Sequence, residues 1–245
     1  MIDADLTVEK IIQEAADVKT FRFSLQNLPA GQSLGQKPGQ FASLQVPTVD
    51  GVQVRSFSIS SSPLEQDYLD ITVKRYEDSS AAKALHQLKI GDRLHFRAPF
   101  GNFVMDDDVK NPVMIAGGNG VTPLMAMIRY IVGKNLPIVP ILIYSNRTQA
   151  DVIFKDELER LGREGKIVAD ITLTNEPQAT GWKGLTGRID AAMIEKLAGP
   201  VADKTFFLCG PPEMVRAMHA TLLGLGVPEQ KIKMEQFIRP AKKTA

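Results

Sequence analysis

Up to about Phe103, apolar and polar residues alternate in short runs separated by turn residues. Leu6–Ile12 and Val18–Leu25 flank a short polar break, as in a hairpin. Lys37-Pro38-Gly39-Gln40 turns into Phe41–Val46, and Val49-Asp50-Gly51 turns into Val54–Ser60. Tyr68–Arg75 alternates throughout, and Arg93–Ala98 follows a turn at Gly91-Asp92. Six strands at this spacing predict a small antiparallel β-barrel. One helix interrupts them: Ser79 or Ser80 can cap a segment carrying Ala81, Ala84, Leu85 and Leu88.

Beyond the acidic patch Asp106-Asp107-Asp108 the period changes. Strands are predicted over Val113–Ala116, Ile138–Tyr144, Ile167–Leu173, Thr205–Leu208 and Ile232–Phe237. Pro140 is an awkward guest in the second of these, because it cannot donate to a ladder. Helices are predicted between them over Thr122–Val132, Val152–Leu161, Ile189–Leu197 and Glu213–Leu225. Such alternation specifies a parallel sheet, here of five strands, with helices on both faces. The chain therefore divides into a β-barrel over residues 1–106 and an α/β domain over 107–245.

Composition narrows the function classes. The 245 residues carry a formal net charge of +1, so no basic excess points to nucleic acid or an acidic membrane. No apolar run approaches the ~20 residues that span a bilayer, and the first residues lack the layout of a signal peptide; a cytoplasmic location is expected. The single cysteine excludes an internal disulfide and a cysteine-ligated iron–sulfur cluster within this sequence. His86, His95 and His219 lack metal-ligand spacing and read as surface or packing residues, so no metal site is expected.

Candidate chemistry gathers at three places. Val113–Ala116 feeds the turn Gly117-Gly118-Asn119-Gly120, followed by Val121-Thr122-Pro123 at the start of a helix. Glycines free the backbone, Pro123 suits a first helical turn, and the helix N-terminus favours an anion such as a pyrophosphate. Cys209-Gly210-Pro211-Pro212 follows an apolar strand, at the carboxyl end where ligands of open α/β sheets lie, which would leave Cys209 on the rim. In the barrel, alternation along Arg55–Ser60 puts Arg55, Phe57 and Ile59 on one side and Ser56, Ser58 and Ser60 on the other. Arginine can clamp a phosphate and an aromatic ring can stack on a flat cofactor.

Together these segments resemble the ferredoxin–NADP reductase family of flavoproteins over nearly the whole chain. Arg55-Ser56-Phe57-Ser58 resembles the family's Arg-x-Tyr-Ser flavin motif, with phenylalanine in place of tyrosine. Pro99–Phe103 resembles the barrel-exit motif, Gly117–Pro123 the nicotinamide-nucleotide loop, and Tyr144–Arg147 with Asp151, Phe154, Glu157 and Leu158 the segment over the adenosine end. Trp182, Gly184, Gly187 and Arg188 fit a Trp-x-Gly-x-x-Gly-Arg pattern, and Cys209–Pro212 with Glu235-Gln236-Phe237 complete the set.

The resemblance implies roles for these positions. Arg55 would bind the FAD pyrophosphate, Phe57 would lie against the isoalloxazine, and Ser58 would hydrogen-bond near the nitrogen that accepts hydride; Ser56 belongs to the same motif. Backbone along Thr72-Val73-Lys74 would face the pyrimidine end. The helix beginning at Ser79-Ser80-Ala81-Ala82 would aim amides at the pyrophosphate, although Ala82 stands where the family has a serine. Gly117, Gly118, Asn119, Gly120, Thr122 and Pro123, then Ser145, Asn146 and Arg147, then Cys209, Gly210 and Pro211, would hold the nicotinamide nucleotide. Thr122, Cys209 and Glu235 would surround the nicotinamide, and Phe237 would cover the flavin; Ser58, Cys209 and Glu235 are the catalytic candidates.

The implied activity is hydride transfer from NADH or NADPH to FAD, with electrons passing on to a separate protein such as a ferredoxin or oxygenase component. Reduction of free flavin or another small acceptor is the enzymatic alternative, and a non-catalytic FAD-binding redox sensor the non-enzymatic one. Ser145-Asn146-Arg147 has no carboxylate, which favours NADPH. The wider segment through Asp151 and Phe154 is similar to NADH-using relatives, and on balance NADH is expected.

Overall fold

The computed structural model describes residues 1–26, 28, 32–175 and 181–237. It separates into two compact units, one of Met1–Met105 with Met125–Lys134, the other of Asp106–Leu124 with the described residues from Asn135 onward.

The first unit contains an antiparallel six-stranded sheet in the order β4-β3-β6-β1-β2-β5. Its strands are β1 (Ile2–Ala15), β2 (Val18–Ser24), β3 (Phe41–Thr48), β4 (Gly51–Ser58), β5 (Tyr68–Lys74) and β6 (Arg93–Phe100). β1 is far longer than its predicted core because it serves two partners. Ile2–Thr7 pair with Ala98–Arg93 of β6, and Thr7–Ala15 pair with Ser24–Val18 of β2, with register shifts after Val8 and Gln13. Ile2 and Leu6 point inward while Asp3 and Asp5 point out to His95 and Arg97, so the aspartates conceal a strand. Phe21, Phe23, Leu44, Phe96, Leu69 and Ile71 fill the interior.

The barrel closes at one point. Alternation along β4 holds through Phe57 and then fails, since Ile59 and Ser60 are both buried. Ile59 N still donates to Gln40 O (3.0 Å), whereas Ser60 N donates to Asp70 O (2.9 Å), and Ile59 bridges Ile71. There the chain leaves β3 and joins β5; elsewhere β5 pairs with β2 alone. The helix α1 (Ser80–His86) is capped by Ser79, whose side chain accepts from Ala82 N.

The second unit is a parallel sheet in the order β10-β9-β8-β7-β11-β12. It comprises β7 (Pro112–Gly117), β8 (Ile141–Asn146), β9 (Val168–Leu173), β10 (Leu185–Thr186), β11 (Thr205–Gly210) and β12 (Ile232–Gln236). Six strands stand where the sequence pattern gave five. The addition, β10, has two residues and no periodicity to read; it is held by Gly187 N donating to Leu173 O (2.9 Å) and Thr172 Oγ1 donating to Gly187 O (2.7 Å). β8 starts after Pro140, which contributes only its carbonyl, accepting from Val168 N.

The helices are α2 (Val121–Gly133), α3 (Lys155–Arg163), α4 (Ala191–Ala198) and α5 (Pro212–Gly224). α3 begins three residues later than predicted. Gln149–Asp151 form a separate 3₁₀ turn closed by a Thr148–Asp151 capping box, and Phe154 takes a left-handed φ of 59°. β7 is buried at every position, as a central strand covered on both faces must be.

Candidate functional site

In the barrel, the useful feature is what happens past the Ile59–Ile71 bridge. Asp70 directs both its N–H (to Ser61 Oγ, 3.0 Å) and its C=O (to Ser60 N) away from β2. Antiparallel pairing alternates these directions residue by residue, so the backbone groups of Thr72 and Lys74 point the same way as those of Asp70. Val73 faces β2, and its carbonyl also accepts from His86 Nε2 at 2.9 Å. The side chain of Thr72 turns inward, into a buried hydroxyl chain with Thr20 (2.8 Å) and Ser60 (2.9 Å).

Arg55 and Phe57 share a face of β4, and Phe57 packs against the barrel core while Ser56 is exposed on the other side. Arg55 Nη2 donates to Gln53 Oε1 (2.7 Å), and Gln53 Nε2 donates to Ser80 Oγ (2.8 Å). This chain ties the arginine to the start of α1, where Ala81 is buried and Ser79 caps. Gln53 was missed in the sequence; its signal was the two-residue spacing from Arg55, which places both on one strand face. The Ser58 hydroxyl makes no hydrogen bond among the described residues.

In the second unit the switch point lies between β7 and β11, from which the chain winds outward in both directions. The 3₁₀ turn Gly118–Gly120 leads directly from β7 into α2, the buried Pro123 lying in its first turn. Gly120 packs against the end of β11: a Cβ there would stand 2.2 Å from Cys209 O and 2.6 Å from Gly210 N. At Gly118, whose φ is 51°, a Cβ would meet nothing within 4 Å, so the turn is open at Gly118, near the positive end of a 13-residue helix, while Gly117 and Gly120 are buried. Thr122 Oγ1 donates to Asn119 O (3.0 Å), and Tyr144 Oη donates to Gly118 O (3.0 Å). Tyr144 is fully buried and also accepts from Ile153 N, a tethering role the sequence did not reveal.

Cys209 does not sit on a rim. β11 continues through Gly210 between β7 and β12, so Cys209 is an interior strand residue with no exposed surface. Burial, reinforced by Glu235, pushes its thiol well above the ordinary range. Glu235, its register partner on β12, also has a raised pKa, again from burial. Pro211 caps α5, and Phe237 N donates to Gly210 O (3.1 Å). At the next strand end, Ser145 is half-buried, Asn146 buried and Arg147 exposed. Neither amide atom of Asn146 has a hydrogen-bond partner among the described residues, nor does Asn119 Oδ1. Buried orphaned amides of this kind suit a polar ligand.

Residues 5–105 match the oxidoreductase FAD-binding domain and residues 114–220 the oxidoreductase NAD-binding domain. NADH-cytochrome b5 reductase 1 of Aspergillus terreus is 36% identical over 231 residues, covering 88% of this chain and 77% of that protein. The chain belongs to the ferredoxin–NADP reductase family. The glycine betaine monooxygenase reductase subunit of Chromohalobacter salexigens is 34% identical over 236 residues; the match covers 93% of this chain but only 62% of that longer protein. Among solved structures, a ferredoxin NADP⁺ reductase from Neisseria gonorrhoeae with bound FAD and NADP has the same fold. The TM-score is 0.80 at 21% identity, covering 96% of this chain and 98% of that one. This family member is thus an FAD-dependent NAD(P)H oxidoreductase.

The residues present fit both cofactors. The strand edge at Thr72 and Lys74, with an arginine braced towards a helix start, suits a flat ring joined to a pyrophosphate. The glycine turn, open at Gly118, and the orphaned amides suit a dinucleotide. Among the described residues there is no cluster that could hold a metal, and no helix is long and apolar enough to cross a membrane.

Proposed function

We propose that residues 1–106 hold FAD, residues 107–245 hold NAD(P)H, and electrons leave to a separate redox protein, a ferredoxin or an oxygenase component. What carries this reading of the acceptor is the pairing of a lone, buried cysteine with relatives named for protein acceptors. Cys209 cannot assemble a cysteine-ligated cluster, and the two relatives above are named for cytochrome b5 and for a monooxygenase.

The flavin, when bound, supplies the two-electron to one-electron conversion; the chain supplies orientation. Arg55, held by Gln53, donates to the FAD pyrophosphate. Phe57 lies against the ring, and Ser58 offers its hydroxyl towards the hydride-accepting nitrogen. Thr72 and Lys74 offer backbone donors and acceptors to the pyrimidine end, while the amides at the start of α1 complete the phosphate site. In the second unit the Gly117–Gly120 turn and the start of α2 bind the dinucleotide pyrophosphate. Glu235, which is half-buried, lines the nicotinamide position, with the buried Thr122 and Cys209 packed behind it. Burial keeps the thiol protonated there, so Cys209 packs rather than attacks.

Anaerobic turnover with NADH or NADPH, comparing a [2Fe–2S] ferredoxin and cytochrome b5 with free FMN, tests the acceptor. Protein acceptors should be reduced at least about tenfold faster at equal concentration. Faster reduction of free flavin would overturn the proposal and leave the family assignment intact.

A further inference from the structure

The two parts of the barrel assigned to FAD are joined through α1. At its start, Arg55 Nη2 donates to Gln53 Oε1 (2.7 Å) and Gln53 Nε2 donates to Ser80 Oγ (2.8 Å), so the arginine is braced on the first residue of the helix. The last residue of the helix, His86, is tied to β5. Its ring is 8% exposed, and Nε2 donates to Val73 O at 2.9 Å, between the two residues whose backbone groups form the strand edge, Thr72 and Lys74. A carbonyl can only accept, so Nε2 carries the hydrogen.

His86 is fixed from other sides as well. Its imidazole stands edge-on to Phe21, with 6.0 Å between ring centroids and 78° between planes, and Lys19 Nζ donates to its carbonyl (3.1 Å). Lys19 and Val73 are register partners on β2 and β5, so both ties come from one rung of the sheet. Between the two ends, Ala81, Ala82 and Leu85 pack into the barrel core. The seven residues of α1 therefore form one rigid spacer about 10 Å long, anchored at Ser80 and at His86.

We propose that His86 is a positioning residue for FAD: by locking α1 to β5 it fixes the separation between Arg55 and the strand edge at Thr72 and Lys74. The inference rests on the reading that places the pyrophosphate on Arg55 and the pyrimidine end of the flavin on that edge. A ligand that engages both places gains from a preset separation, whereas a ligand that engages one does not. His86 thus contributes to the hold on the whole cofactor and to neither half alone, without touching it.

Riboflavin carries the ring without the pyrophosphate, and ADP the pyrophosphate without the ring. Binding of each, and of FAD, to the full chain stripped of cofactor can be followed by fluorescence and calorimetry without any turnover. His86→Ala should weaken FAD about tenfold and change riboflavin and ADP by about twofold or less. His86→Gln keeps an N–H donor and should lose less than the alanine variant. Lys19→Met leaves the imidazole in place and removes only the bond to its carbonyl; it should weaken FAD about threefold, again with both fragments unchanged. If His86→Ala does not fold, the Lys19→Met comparison decides alone. Unchanged FAD affinity, or equal losses for FAD and for either fragment, overturns the proposal. ADP affinity that is unaffected by Arg55→Ala overturns it together with the placement of the pyrophosphate on Arg55.

Discussion

Cys209 and Glu235 face each other across neighbouring parallel strands, and burial raises the pKa of both. The carboxyl is the one that titrates in an accessible range. Because its folded pKa lies above the unfolded value near 4.5, folding binds a proton there. Its stabilising contribution is complete below that value and is lost as pH rises through the folded pKa. Glu235→Gln should therefore be less dependent on pH just above 4.5, gaining on the parent as pH rises. Urea denaturation midpoints across that range check this; parallel curves would show that Glu235 titrates as it does in water.

His86 gives the opposite slope. Burial holds its pKa below 6.5, helped by Lys19 and Arg75 and opposed by the Val73 hydrogen bond and Asp17. A depressed histidine stabilises above its unfolded pKa, and that contribution is lost as pH falls through the folded value. His86→Gln should flatten the fall in stability below pH 6.5, measured by thermal unfolding. It should also loosen the link between α1 and β5.

Arg55→Ala should weaken FAD retention about 10- to 100-fold, the worth of a charge-assisted hydrogen bond at about 1.5–3 kcal/mol. Phe57→Tyr should change it by about threefold or less, since the ring is kept and only a hydroxyl is gained. Fluorescence titration of apoprotein with FAD reads both. Equal losses would remove Arg55 from the phosphate site.

Two glycines of one turn should behave differently. At Gly120 a Cβ meets backbone of β11 that cannot step aside, and Gly120→Ala should cost about 3 kcal/mol or more. At Gly118 only the left-handed φ of 51° objects, so Gly118→Ala should cost about 1 kcal/mol. Denaturation of the two variants side by side decides it, and a reversed order would mean that the turn repacks.

Tyr144→Phe deletes the hydroxyl that holds Gly118 O and Ile153 N. Leaving that buried N–H unpaired should cost about 1–3 kcal/mol. Nucleotide affinity should fall as the turn loosens. Stability loss with unchanged nucleotide binding would limit Tyr144 to a packing role.

What could be read from the sequence was whatever declares itself by period. The runs at Val113–Ala116 and Thr205–Leu208 read as strands, and the glycines between β7 and α2 marked the turn. Hydrogen bonds without periodicity were hidden. The Asp3 and Asp5 positions look like loop but alternate with Ile2 and Leu6 in β1. The Thr148–Asp151 box moved the start of α3, because a local side-chain bond outweighed the apolar pattern of Val152 and Ile153. The bracing of Arg55 by Gln53, and the interior position of Cys209, depend on which strands lie alongside, and one chain's alternation does not reveal that.

Trp182 is the single tryptophan of the chain. Its indole lies so near Gly184 that a Cβ there would come within 2.3 Å, and its Nε1 donates to Leu185 O (2.9 Å). Emission excited at long ultraviolet wavelengths therefore comes from one known spot, the turn that delivers β10 to the sheet edge. Fraying of that turn frees the indole to solvent and shifts its colour to the red, giving a label-free optical gauge of this edge.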